Sequence, residues 1–540
     1  MKKLILATLI LTVSSQLFSQ IKLSKDFDFS LSTPYDVIDA GIKTYYGKDG
    51  EILSVKVDGG TVFIQKYQKN TLNQTSSKVY EDFEKGFVTE NIYNFANKYY
   101  LFYSAWDKGN KTEQLFVREI DFEKGDFIGK SKRIIAVNGK VTGGDGNKFS
   151  VEPSFNEKHL MIYYREKPES RNDKVNKDEI GFYMFDENME VEWKKTAKMP
   201  YTESQMNNIA YAVNQNGSAF ILSEVLPSGE KDRLNKQDLP NYKLELLVVS
   251  ESGVEINGAE IKLKNKIVNQ VSFFEGKDND LILAGFYGNK GSKGTDGIFM
   301  VKLTDKGELN DEVTFEIPTE LMKENMSDRA QKKMDKKEDK GIDLSMSNME
   351  LRDLVFNKDG SLIMIGEKYY TITTYTTSSS GMTSSKTTHY YEEMLISKIN
   401  ANGTLAWMKK LPKKQMRSSS GGGLLFSIGY SSHGLGYKYI QGKSSHYLLF
   451  LDNVKNLELA SNESPKPHSD GQGGFLTAYK INDANGTVEK LSIIDTRDAK
   501  GTELFQFAPS RIVKVSDSVF GVECYKKKKE DVMVKITLKD

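Results

Sequence analysis

One pattern repeats along this chain and limits what it can become. A strand is followed by a tight turn, a strongly apolar strand, a variable loop, an apolar strand, a second tight turn and a more polar strand. Residues 350–411 show it best, with "LRDLVF", "SLIMIGEKYY", "EEMLISKIN" and "GTLAWMKKL" as the four strands. The span 268–316 repeats it with "VSFFE", "LILAGFYG", "GIFMVKLT" and "VTFEIP", and 207–264 with "NIAYAV", "SAFILSEV", "KLELLVVS" and "AEIKL". Further units are readable at 88–137, 150–197 and 437–495, and a first one at about 36–83. The strands are rich in aromatic and branched residues. The turns "GKDG", "NQNG" and "NKDG" carry Asn, Asp and Gly, which tolerate the positive φ of two-residue hairpins. Four strands in roughly 45–60 residues are what a β-propeller blade requires.

An outer-membrane barrel also alternates short turns with long loops, but its strands alternate apolar and polar residues throughout. Here "LIMIG", "LLVV" and "YLLFL" are continuously apolar, which suits strands covered on both faces. The fourth strand is repeatedly polar, as in "EWKKTAK" and "SKRIIAV", which suits the wet outer edge of a blade. The last segment supplies three strands, "RIVKVS", "SVFGVECY" and "DVMVKITL". The stretch "IKLSKDFDFSL" near the other end alternates and is expected to complete that blade as its fourth strand, removing an exposed edge. The expected architecture is all-β, a propeller of about eight four-stranded blades, with seven as the alternative.

Antiparallel order puts the turns between first and second strands, and between third and fourth, on one face. The remaining connections fall on the other. Nearly every slot of the first kind is a short turn, and long irregular segments occupy the latter slots: 166–179, 226–241, 288–297, 371–388 and 452–474 within blades, and 319–347 and 412–435 between them. One overgrown face is therefore expected, and loops on a rigid scaffold are where binding usually resides. The Thr/Ser-rich stretch 371–388 reads as a hairpin prolonged beyond its blade, with a disordered loop as the alternative. Residues 321–341 read as a short amphipathic helix, with Leu321, Met322, Met326, Ala330 and Met334 on one stripe, or as solvated disorder. The glycine- and serine-rich segment 416–437 holds Leu424, Leu425, Phe426 and Tyr430 and reads as a lid or partner-binding segment.

Residues 1–19 read as a signal peptide: Lys2 and Lys3, an apolar run from Leu4 to Val13, and Ser19 before the expected cleavage at Gln20. Removing them leaves 521 residues (540 − 19), read as one domain, 20–540, with net charge −1 (+1 − 2). That balance gives no field for nucleic acid or an anionic membrane. No later run is long enough for a membrane helix. Secretion across an inner membrane, with the periplasm preferred, is the expectation. Cys524, the one cysteine, sits among apolar residues and reads as a buried, inert thiol.

No serine-hydrolase elbow, zinc-protease pair, phosphate-binding loop or EF-hand loop is present. His389, His433 and His468 fall in insertion-face loops, where solvated side chains are expected rather than a metal site. "KKKK" at Lys526–Lys529 is a local basic spot on the same face. At "KINANGTLAWMKKL" the chain resembles the repeat of quinoprotein-like propellers, in which a turn glycine and a tryptophan end each blade. Gly403 and Trp407 match, and Trp193 matches partly, since its turn "DENM" lacks the glycine. The resemblance implies the fold, not a quinone, and no cofactor is expected. In style the chain also resembles secreted propeller proteins of Bacteroidota. The expected function is non-catalytic: a cell-envelope binding protein that meets a protein or glycan partner through Tyr375, His389, Phe426, Tyr430, His433 and Lys527. The alternative is a hydrolase or lyase acting on a polysaccharide or peptide at the channel mouth.

Overall fold

The structure, a computed structural model, describes residues 23–539 apart from 145, 169, 171, 228–231, 262, 264–265, 277–278, 305, 307, 341–343, 378–382, 421–433, 458, 460–462 and 470–472. The expected signal peptide lies outside the described residues, as do Phe426, Tyr430 and His433.

Among the described residues eight separate sheets, antiparallel in their four blade strands, follow one another along the chain. Strands are named a to d in chain order from the inside of each blade outward. Blade 1 spans Ile42–Tyr80, blade 2 Val88–Asn138, blade 3 Ser150–Lys198 and blade 4 Met206–Ile261. Blade 5 spans Lys266–Glu316, blade 6 Met349–Leu411 and blade 7 Lys438–Asp495. Blade 8 takes strands a to c from Ile512–Leu538, and its fourth strand is Phe27–Leu31 from the other end of the chain. That clasp runs antiparallel to strand c, with Phe27 opposite Leu538 and Leu31 opposite Val534.

The chain is thus an eight-bladed β-propeller, and its core explains why. Apolar contacts fall into eight layers, one between each neighbouring pair of blades. Between blades 4 and 5, for example, Phe220 and Leu246 meet Leu283 and Phe299. The middle strands of a blade face a neighbour on both sides, so the whole of "LILAGFYG" is buried. Outer strands such as Val191–Lys198 are mostly exposed and can be polar. Blades approach closely enough that some positions admit no side chain. A Cβ at Gly47 of blade 1 would lie 1.9 Å from the Lys514 carbonyl oxygen of blade 8.

Every a–b and c–d turn is short, the longest being the six residues 68–73. The long connections all leave from the opposite face, as the strand cycle dictates. Two of them differ in form from what their sequences suggest. Residues 319–347 hold two helices, α1 (Thr319–Lys323) and α2 (Asp328–Glu338), rather than one. Asn325 between them has φ +55°, which breaks the helix and divides the apolar stripe. Leu321 and Met322 of α1 are buried, Met334 of α2 packs partly against the same core layer, and α2 has no fully buried residue. The described part of the segment 412–435 holds a strand, Gln415–Ser420, while Leu424, Leu425, Phe426 and Tyr430, on which the lid reading of 416–437 rests, lie outside the described residues. That strand pairs with blade 6 strand c from Tyr391↔Gln415 to Lys386↔Ser420. Residues 371–388 form the expected hairpin: strand b runs on to Thr377 and pairs with strand c as far as Thr377↔Thr383. The result is a three-stranded ribbon standing on the overgrown face, with His468–Ser469 from the blade 7 insertion added in parallel.

The seam between blades 8 and 1 holds a buried ionic cluster. Glu523 on blade 8 accepts hydrogen bonds from Lys56 Nζ (2.6 Å), Tyr45 Oη (2.6 Å) and Tyr35 Oη (3.0 Å), with Lys43 Nζ 3.7 Å away. The Glu523 and Lys56 side chains are wholly buried. Burial disfavours the Glu523 carboxylate, but the two lysines and the Tyr45 donor outweigh it and hold its pKa below the usual range.

Candidate functional site

A large concavity lies inside the ring, against the a strands of blades 3 to 6. It has a volume of about 890 Å³ and is lined among others by Glu152, Tyr163, Tyr211, Gln270, Glu350 and Arg352. Its position follows from local backbone irregularities. Pairing between strands a and b slips by one residue at Thr89/Asn91 in blade 2, Asn208/Ala210 in blade 4, Val268/Gln270 in blade 5 and Leu351/Asp353 in blade 6. The extra residues are Glu90, Ile209, Asn269 and Arg352, and the last three line the cavity. A bulge re-aims the side chain it carries, and here it does so in register around one wall.

On the trimmed face, below the cavity, aromatic side chains bridge blades that are not neighbours. Phe155 of the blade 3 a–b turn meets Phe356 of blade 6 edge-on at 6.2 Å between ring centroids, and Phe356 also meets Phe274 of blade 5 at 6.4 Å. Buried Glu275 ties the same floor together by accepting from the backbone N–H of Phe155 (2.8 Å) and of Gln215 (2.5 Å).

The charges on the wall are unequally paired. Arg352 contacts Glu350 at 2.7 Å and lies 3.6 Å from Glu367. Glu367 and Lys413 form a fully buried pair at 2.6 Å. Burial pushes the Glu367 carboxyl up and the Lys413 ammonium down, each opposed by the other's charge. Lys413 also donates to the Tyr391 carbonyl (3.2 Å) and to Gln415 Oε1 (3.0 Å), while Gln415 Nε2 donates to the Leu451 carbonyl (2.8 Å). A chain of contacts therefore runs from the channel wall to the root of the ribbon. The Glu152 side chain, by contrast, has no hydrogen bond or ion pair among the described residues, and burial alone pushes its carboxyl up to about 7.

A second cavity, of about 160 Å³, opens where three insertions meet at the base of the ribbon. Asn325 and Met326 come from the α1–α2 turn, Lys413 and Lys414 from the segment after blade 6, and Ser464 and Pro465 from the blade 7 insertion. Lys410 of blade 6 locks α1 there by donating to the carbonyls of Met322 and Glu324, both at 2.8 Å. That is a cation at a helix C-terminus, where the helix dipole favours one.

The residues expected to form the binding face are placed as follows. Tyr375 is 74% exposed on the ribbon, beside Ile372 at 48%. His389 sits lower on strand c, its Nδ1 2.8 Å from Tyr369 Oη, and burial followed by the Arg417 charge pushes its pKa down. Lys527 lies on a different blade, paired with Glu503 at 2.8 Å and over the Phe505 ring at 5.1 Å, so the basic turn is partly neutralised. His468 is buried rather than solvated, because its two-residue strand is sheltered beside the ribbon. Among the described residues no group of three or more His, Cys, Asp or Glu side chains is placed to hold a metal ion. No helix among them is long and apolar enough to cross a membrane. Cys524 is fully buried, and burial drives its thiol far above the usual value. Trp407 and Trp193 both dock on the next blade, donating to the carbonyls of Asp483 (2.9 Å) and Gly217 (3.0 Å). The channel residues went unseen in the sequence because bulge positions depend on strand pairing, not on composition.

No protein-family model matches the chain, and no curated protein matches it. Among solved structures it is similar to the polysaccharide lyase Uly1, at 10% identity over 84% of this chain and 90% of that one, with a TM-score of 0.33. It is similar to a variant of the Synechocystis apocarotenoid oxygenase at 9% identity, over 71% of this chain and 74% of that one, with a TM-score of 0.33. It is also similar to an acylaminoacyl peptidase from Pyrococcus horikoshii, at 10% identity over 80% and 59% of the respective chains, with a TM-score of 0.31. Likeness at this level carries no argument about activity, and the fold stands on the eight sheets themselves.

Proposed function

We propose that the protein is a non-catalytic binding propeller of the cell envelope that engages a protein or glycan partner through its overgrown face. The ribbon carries this reading. It projects from a rigid disc, presents Tyr375 and Ile372 to solvent, and is braced at its root by buried polar contacts. Among the described residues, strand b beyond Tyr369 pairs with strand c on one side, leaving Thr371–Thr376 as an uncharged edge. Such an edge accepts an extended chain, and its tyrosine accepts a sugar or a side chain. A location beyond an inner membrane is part of the proposal and rests on residues 1–19.

The test is site-specific photo-crosslinking with a benzoylphenylalanine at position 375, against the same group at exposed Leu309 on the rim of blade 5. Purified protein is exposed to cell-envelope protein and glycan fractions. Adducts from position 375 that vanish when 371–388 is replaced by a short turn are expected. Equal labelling from both positions, or none from 375, would refute the reading.

A further inference from the structure

We propose that the channel cavity is a binding site for a small organic cation, whose protonated primary amine is received by Glu152 beside the Tyr163 ring. The site is separate from the ribbon and stands whether or not the ribbon binds a partner.

Three observations converge on it. The first is volume: about 890 Å³ is the size of ordinary small-ligand sites, and the floor is closed by the Phe155–Phe356–Phe274 contacts. The second is an unmatched charge. Each of the other charged groups on this wall has a neighbour of opposite sign: Glu350 has Arg352, and Asp353 has Lys438, whose ammonium it stabilises. Glu152 acts on two phenols, Tyr163 from strand b of its own blade and Tyr93 from blade 2, whose pKa values burial raises first and the Glu152 charge raises further. Glu152 is half-buried on the cavity wall, and a carboxylate in that setting without a cation beside it is an arrangement that a ligand ammonium would relieve. The third is an aromatic platform. Tyr163 stacks on Tyr211 of blade 4 with centroids 4.0 Å apart, and both line the cavity. Ring faces attract cations, most strongly where water is excluded.

The pH dependence has a defined sign. With its pKa near 7, Glu152 is largely protonated at pH 6 and largely ionised at pH 8. Affinity for an ammonium should therefore rise across that window, for as long as the amine itself stays charged. The same raised pKa means that the folded chain loses stability as pH rises from the ordinary carboxylate range to about 7. Glu152→Gln removes that penalty and is expected to melt no lower than the parent at pH 8.

Binding to the full chain is measured calorimetrically with three probes: 1,5-diaminopentane, the glucosamine trimer, and its fully N-acetylated counterpart. The acetylated trimer keeps the sugar body and loses the charge. At least tenfold tighter binding of the glucosamine trimer than of the acetylated one is expected at pH 7. So is a loss of tenfold or more in Glu152→Gln, together with loss of the rise between pH 6 and 8 that diaminopentane, whose amines stay charged throughout, shows with the parent. Binding of diaminopentane as well identifies the amine alone as sufficient, and its failure beside a binding trimer identifies an amino sugar. Equal binding of the two trimers, unchanged binding in the folded Glu152→Gln variant, or no binding of either amine overturns the proposal.

Discussion

Replacing Glu523 by alanine is expected to destabilise the protein by about 3–5 kcal/mol, because it strands the Lys56 ammonium in a wholly buried site. The carboxylate lies 467 positions from Lys56 in sequence and joins the last blade to the first. Tyr35 and Tyr45 lose their acceptor at the same time. The penalty is that of an uncompensated charge and not the worth of the pair. The double variant Glu523→Leu with Lys56→Met should therefore be more stable than Glu523→Ala. Urea midpoints for the parent and both variants check this. A Glu523→Ala midpoint equal to the parent's would mean that the seam is not closed in this way.

The second large effect is at Lys413. Lys413→Met removes the nearest cation from Glu367, whose side chain is fully buried, and leaves only Arg352 at 3.6 Å. A loss of about 2–5 kcal/mol follows from the same physics. A local effect is also expected, because Lys413 holds Gln415 at the start of the third ribbon strand. Amide exchange at 415–420 should accelerate in Lys413→Met. Adding Glu367→Gln should recover stability without restoring protection of that strand, since the charge is gone but the bracing is still missing. Exchange at 415–420 equal to the parent's would show that the ribbon is not anchored through this lysine.

The architecture was legible where the physics is local or periodic. "LILAGFYG" and "YLLFL" read as doubly covered strands because a blade's middle strands have neighbours on both faces. The clasp was legible in "DFDFSL" because its apolar residues alternate, as a strand covered on one face requires. Tyr375, one of the residues named for the binding face, is exposed on the hairpin. The rest depended on partners distant in sequence. "QMRSSS" has little strand character of its own and is a strand because strand c of blade 6 offers it an edge. His468 read as solvated and is sheltered by that same addition. Glu152 and Arg352 look like any surface charge until register shifts and blade packing place them on the channel wall.

The central claim is that the strand near the start of the chain is the outermost strand of the last blade, closing the disc. Ser30 and Lys535 face each other across that pairing. The double variant Ser30→Cys, Lys535→Cys, purified under oxidising conditions, tests it directly. The account predicts an intramolecular disulfide, seen as a loss of about 2 Da in the intact mass, and a raised melting temperature that reverts on reduction, since the bond closes a very long loop. Two free thiols at these positions after oxidation, or a disulfide that leaves the melting temperature unchanged, would contradict it.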